Sequence, residues 1–132
     1  MIGVDSNVLI RLFVEDNPQQ AEAARKFFAS RSPREKAFIS TVAIAELVWG
    51  LSGVYDYPRR DVFTALDSLL DSENVALENE VAVVGAIELA RQKNTHIADC
   101  IIAAAARDAG CTATVTFDQP ASRRVPGMEL IA

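Results

Sequence analysis

Cysteine, histidine and glycine are scarce in this sequence, and each scarcity removes a class of protein. Among 132 residues there are two cysteines, Cys100 and Cys111. Their separation fits neither a zinc site nor a CxxC redox pair, so both are read as buried thiols in a reducing compartment. The one histidine, His96, cannot supply paired imidazole chemistry and is read as a local structural or rim residue. The six glycines form no GK[ST] phosphate loop, and Gly3 stands alone where a dinucleotide fingerprint needs a GxGxxG run. No apolar run approaches the roughly eighteen residues of a membrane helix. Asp5 near the start and the lack of a basic leader argue against a secretory signal, so a cytoplasmic protein is expected. Basic residues are also few, 13 against 18 acids, for a net charge of −5. A basic face for polyanions is therefore not evident. Either the protein has no such partner, or its acids are concentrated in a site that a divalent cation neutralises.

What is present is ordinary globular material. Half of the residues are apolar and 23% are charged. A chain of this length buries a sizeable core without disulfides and is expected to form a single domain over residues 1–132. Met1 to Val4 is a short apolar run followed by a brief helical pattern, Val8 to Val14. Asn17-Pro18 starts a helix with Ala21, Ala24, Phe27 and Phe28 on one face. Ala37 to Ser40 reads as a strand and Thr41 to Leu51 as a helix. Val62, Leu66, Leu69 and Leu70 mark another helix, and Val75 to Leu77 a strand. Helices follow at Glu80 to Lys93 and Thr95 to Ala109, the second ended by Gly110. Thr112 to Phe117 and Met128 to Ile131 read as strands. Short strands alternating with helices predict an α/β fold, a three-layer α/β/α sandwich around a mainly parallel sheet.

Four acids interrupt apolar surroundings. Asp5 follows Ile2-Gly3-Val4, and Asp118 follows Thr114-Val115-Thr116-Phe117, both at the C-terminal ends of expected strands. Ligands bind at that edge of an open α/β sheet, although either residue could instead be a helix cap or turn. Glu46 lies mid-helix with Val42, Ala43, Trp49 and Gly50 on its face. Asp99 has Ile102, Ala103 and Ala106 ahead of it. A helix dipole or an arginine partner is the alternative account of each. Taken together, the four fall on one edge of a parallel α/β sheet. Clustered carboxylates without a basic partner call for a hard cation, Mg²⁺ or Mn²⁺, and suit metal-assisted phosphoryl chemistry in which bound ions activate water.

Val4-Asp5-Ser6-Asn7, Ser40-Thr41 with Ala45-Glu46-Leu47, Ala98-Asp99 and Thr116-Phe117-Asp118 together resemble the PIN domain, especially the VapC toxins of type II toxin–antitoxin modules. The resemblance covers essentially the whole chain. It implies an Mg²⁺-dependent endoribonuclease, with Mn²⁺ able to substitute, that leaves 5′-phosphate and 3′-hydroxyl ends. It implies that Asp5, Glu46, Asp99 and Asp118 surround one or two ions, with Asp5 and Asp99 as direct ligands. Ser6, Asn7 and Thr116 correspond to small polar residues that support the site. Members commonly pair with a small antitoxin and often form homodimers.

RNA must still be held by an acidic protein. Arg11, Arg123 and Arg124 lie near the segments carrying Asp5 and Asp118 and are the candidates for phosphate contact, or else solvated surface charge. Phe13, Trp49 and Tyr55 either stack on bases or pack, and tryptophan is more often core. An aspartyl-phosphate phosphatase would want an acid where Asn7 stands. A catalytically weak PIN-fold scaffold, or a stand-alone RNA-processing nuclease without antitoxin, is the alternative function.

Overall fold

The computed structural model describes residues 1–131, which divide into two compact units, Met1–Glu78 and from Asn79 onward. In the first unit a three-stranded parallel sheet has the order β1-β2-β3, with β1 at Ile2–Gly3, β2 at Ala37–Ile39 and β3 at Val75–Leu77. Ile2 pairs with Ala37, and Ala37 with Val75. The central strand buries Ala37 and Ile39, as a strand covered on both sides should.

Helices α1 (Ser6–Phe13) and α2 (Pro18–Ala29) connect β1 to β2. Asn17 caps α2 by accepting from the Gln20 amide at 3.1 Å, and Pro18 takes the first helical position, where its missing N–H costs nothing. Helix α3 (Thr41–Trp49) starts directly after β2, and Ser40 caps it at 3.1 Å through the Ala43 amide. The expected helix to Leu51 changes character at Gly50, where Gly50–Val54 form a wider π turn. Gly50 is buried, and a Cβ there would lie 3.0 Å from the Ile10 side chain, so α3 approaches α1 closely at this point. Helix α4 (Arg59–Leu70) then buries Val62, Phe63, Leu66 and Leu69. The expected apolar stripe on α4 is therefore core. Phe27 and Phe28 are half-buried, meeting edge to face at 5.2 Å.

In the second unit α5 (Glu80–Lys93) packs on α6 (Ile97–Asp108). Asn94 at φ 50° ends α5, and Gly110 at φ 91° follows α6, the left-handed turn that glycine and asparagine tolerate best. Strand β4 (Thr114–Thr116) pairs in parallel with β5 (Met128–Leu130). The crossover between them is a short helix, α7 (Gln119–Arg124), which the sequence reading did not anticipate. Every strand ladder described is parallel and helices join the strands. The α/β class expected from the sequence is thus the one found. Cys100 is buried as expected, but Cys111 is exposed, because it lies in the connection between α6 and β4.

Candidate active site

Parallel strands bring their C-terminal ends to one edge of the first unit. Asp5 lies two residues beyond β1, Ser40 directly after β2 and Glu78 directly after β3. Asp5 takes the cap position of α1 with extended backbone, yet its carboxylate makes no capping bond. Its partner is the Ser6 hydroxyl, which donates at 3.4 Å. The alternative that Asp5 serves as a helix cap is therefore not realised, and the carboxylate is exposed. It lines a cleft of about 760 Å³ with Asn7, Arg11, Gln20 and Phe27.

Arg11 is not a free cation in this cleft. Its guanidinium pairs with Asp16 and donates from Nε to Gln20 at 2.8 Å. Glu78 went unremarked in the sequence, although it follows a strand as Asp5 does. Its carboxylate accepts from the Thr41 amide at 2.9 Å and so ties the end of β3 to the start of α3. Glu46 sits in the second turn of that helix, exposed, with Ala43, Ile44, Leu47 and Val48 buried around it.

In the second unit Asp99 occupies the first turn of α6 and is half-buried. A negative charge is favourable at that helix end. Asp118 is exposed and caps α7, accepting from the Ala121 amide at 3.0 Å. The Thr116 hydroxyl accepts from the Asp118 amide at 3.0 Å, which fixes the turn. The capping alternative is thus realised for Asp118 through one oxygen. Arg123 and Arg124 are exposed in the last turn of α7, and His96 is exposed just before α6. Asn caps as well as Asp, whereas Ala does not. Asp118→Ala is expected to cost about 1 kcal/mol in urea unfolding, and Asp118→Asn only a few tenths. Equal losses in the two variants would mean that the charge, not the cap, stabilises α7.

Buried charge does not distinguish these acids, since three of the four are exposed. What distinguishes them is position, at strand ends and near helix starts. Among the described residues no three Asp, Glu, His or Cys side chains gather into a ready ligand group. The donors are nonetheless all carboxylate oxygens. That chemistry fits a hard ion such as Mg²⁺, which keeps much of its water and takes one or two protein carboxylates.

Parallel strands joined by helices define an α/β protein, and in open α/β sheets the edge beyond the strands' C-terminal ends is where ligands bind. The PIN domain family model matches residues 2–125, and the chain belongs to that family. It is also similar to a VapC ribonuclease of Aquifex aeolicus (strain VF5), 27% identical over 115 residues that make up 86% of this chain and 84% of the relative. Among the described residues no helix is long and apolar enough to cross a membrane.

Proposed function

We propose that this chain is an Mg²⁺-dependent endoribonuclease, working as a single PIN-like domain, and the toxin of a type II toxin–antitoxin pair. The observation that carries the reading is Asp5. It stands beyond a parallel strand, in a helix-cap position, with its carboxylate left out of the cap and facing a cleft. Family membership and the likeness to a VapC ribonuclease support the same reading.

Asp5 and Asp99 would hold the ion directly, and Glu46 and Asp118 directly or through water. The bound ion would lower the pKa of water and offset the charge that develops on the phosphate. The Ser6 hydroxyl orients the Asp5 carboxylate by hydrogen bonding to it. The cap bond fixes one oxygen of Asp118 and leaves the other available. One of the carboxylates accepts the proton of the attacking water. Thr116 fixes the backbone at Asp118 through its hydroxyl, Asn7 stands beside Asp5 in the cleft as a small polar residue supporting the site, and Arg123 and Arg124 meet substrate phosphates. Arg11 would have to leave Asp16 to do the same. A small antitoxin is the protein partner, a second copy of the chain is a candidate partner in a homodimer, and the compartment is the cytoplasm.

The test is cleavage of a mixed structured RNA by the purified chain. Cutting is expected in Mg²⁺ or Mn²⁺ and absent in EDTA, with 5′-phosphates on the products. Cutting that persists in EDTA overturns the mechanism. The toxin assignment is tested separately, by whether a small protein encoded next to this chain copurifies with it and suppresses cleavage.

A further inference from the structure

The face of α3 that carries Glu46 also carries an unusual exposure. Val42, Glu46 and Trp49 follow one another at helical spacing, and Gly53 continues the line into the π turn. Trp49 is 67% exposed, against the expectation that a tryptophan in so apolar a helix would be core. The other two aromatics considered for stacking are less available. Phe13 is half-buried, and so is Tyr55, whose hydroxyl donates to Asp16 at 3.4 Å. Gly53 leaves part of the indole uncovered. A Cβ at position 53 would lie 3.8 Å from its Nε1 and 3.9 Å from its Cε2, in direct contact with the ring. The wide turn at Gly50–Val54 carries this glycine to the ring, and such turns frequently mark functional sites.

We infer that Trp49 is a substrate-contacting residue, stacking on an unpaired base of the RNA whose phosphate is cut beside Glu46. The inference rests on the ribonuclease reading above. Stacking asks only for an exposed aromatic face, and unpaired bases are the partners that such faces take in RNA-binding proteins. Glu46 lies in the middle of the stripe, and no ion pair engages it among the described residues. Glu46 is one of the acids proposed above to hold the ion, so the phosphate that is cut comes to this stripe and its flanking bases come to the indole beside it.

Trp49 is the one tryptophan of the chain, so its emission reports this position alone. The full chain carrying Asp5→Asn, expected to cut RNA slowly enough for a binding titration, is titrated with a short dye-labelled single-stranded RNA. Dye anisotropy and indole emission are followed together. Emission is expected to be quenched in step with the rise in anisotropy. Adding Trp49→Ala is expected to weaken binding about tenfold, and Trp49→Phe much less. In the otherwise wild-type chain Trp49→Ala should raise KM with kcat nearly unchanged. RNA that binds with unchanged emission, and equally well to Trp49→Ala, overturns the inference and leaves the ribonuclease reading standing. A shift from dimer to monomer on sedimentation, with RNA affinity unchanged, also overturns it and makes the face a contact between copies. Failure of the wild-type chain to bind or cut any RNA removes both readings.

Discussion

Asp5→Asn is expected to reduce RNA cleavage by about 10² to 10³-fold while leaving the melting temperature within a degree or two of the wild type. The activity loss follows from removing a fixed negative charge from the reacting centre, where a single electrostatic group is typically worth that much. The stable fold follows from the structure. Asp5 is exposed, its carboxylate makes no capping bond, and asparagine suits the cap position of α1 equally well. Asp99→Asn is expected to lose activity to the same degree but to be slightly less stable, by about 0.3–1 kcal/mol. That difference is the favourable interaction of its charge with the first turn of α6. Cleavage rates and thermal melts of both variants, purified in parallel, decide the matter. Two folded variants with undiminished cleavage would rule out the carboxylate mechanism. Activity lost only in proportion to stability would mean that these acids hold the fold rather than the site.

Much of this was legible because local chemistry determines it. Asn17-Pro18 begins α2 where a cap residue followed by proline should, and Gly110 follows α6 at φ 91°. Asp5 and Asp118 could be placed at strand ends from the apolar runs before them. The buried face of α3 was legible, since Ile44, Leu47, Val48 and Leu51 share one side at helical spacing and all four are buried. The exposure of Trp49 was not, because the sequence Thr41-Val-Ala-Ile-Ala-Glu-Leu-Val-Trp49 is apolar on its other sides as well. Packing decides it, burying Ala43, Ile44, Leu47 and Val48 and leaving Val42 and Trp49 outside. The π turn was not legible either, and neither was the close approach of Gly50, at its start, to Ile10 far away in sequence. Helix α7 was missed although Asp118 and Pro120 announce it, since six residues are too few to show a helical period. The exposure of the acids was not legible from their apolar neighbours, because a carboxylate next to an apolar run in sequence projects into solvent where the run ends, as Asp5 and Asp118 do.

The same helix yields the largest expected effect on stability. Leu47→Ala is predicted to cost about 2–5 kcal/mol, the range for deleting a fully buried leucine side chain. Leu47 is 0% exposed and neighbours Glu46 in sequence, yet a turn of about 100° between adjacent helix positions puts Leu47 in the core and Glu46 in solvent. A domain of this size is stable by only about 5–15 kcal/mol, so the variant should melt roughly 10 °C lower and unfold at a clearly lower urea concentration. The upper part of the range is favoured because α3 is held against its neighbours. Gly50 meets Ile10 of α1, and Glu78 fixes the first turn from the end of β3. A helix so anchored cannot easily slide to fill a cavity, and unrelaxed cavities are the costly ones. Glu46→Gln, one position away, should leave the melting temperature nearly unchanged and remove cleavage. A loss below about 1 kcal/mol for Leu47→Ala would mean that the buried face of α3 is wrongly assigned. The exposed face bearing Glu46 and Trp49 would then be wrongly assigned with it.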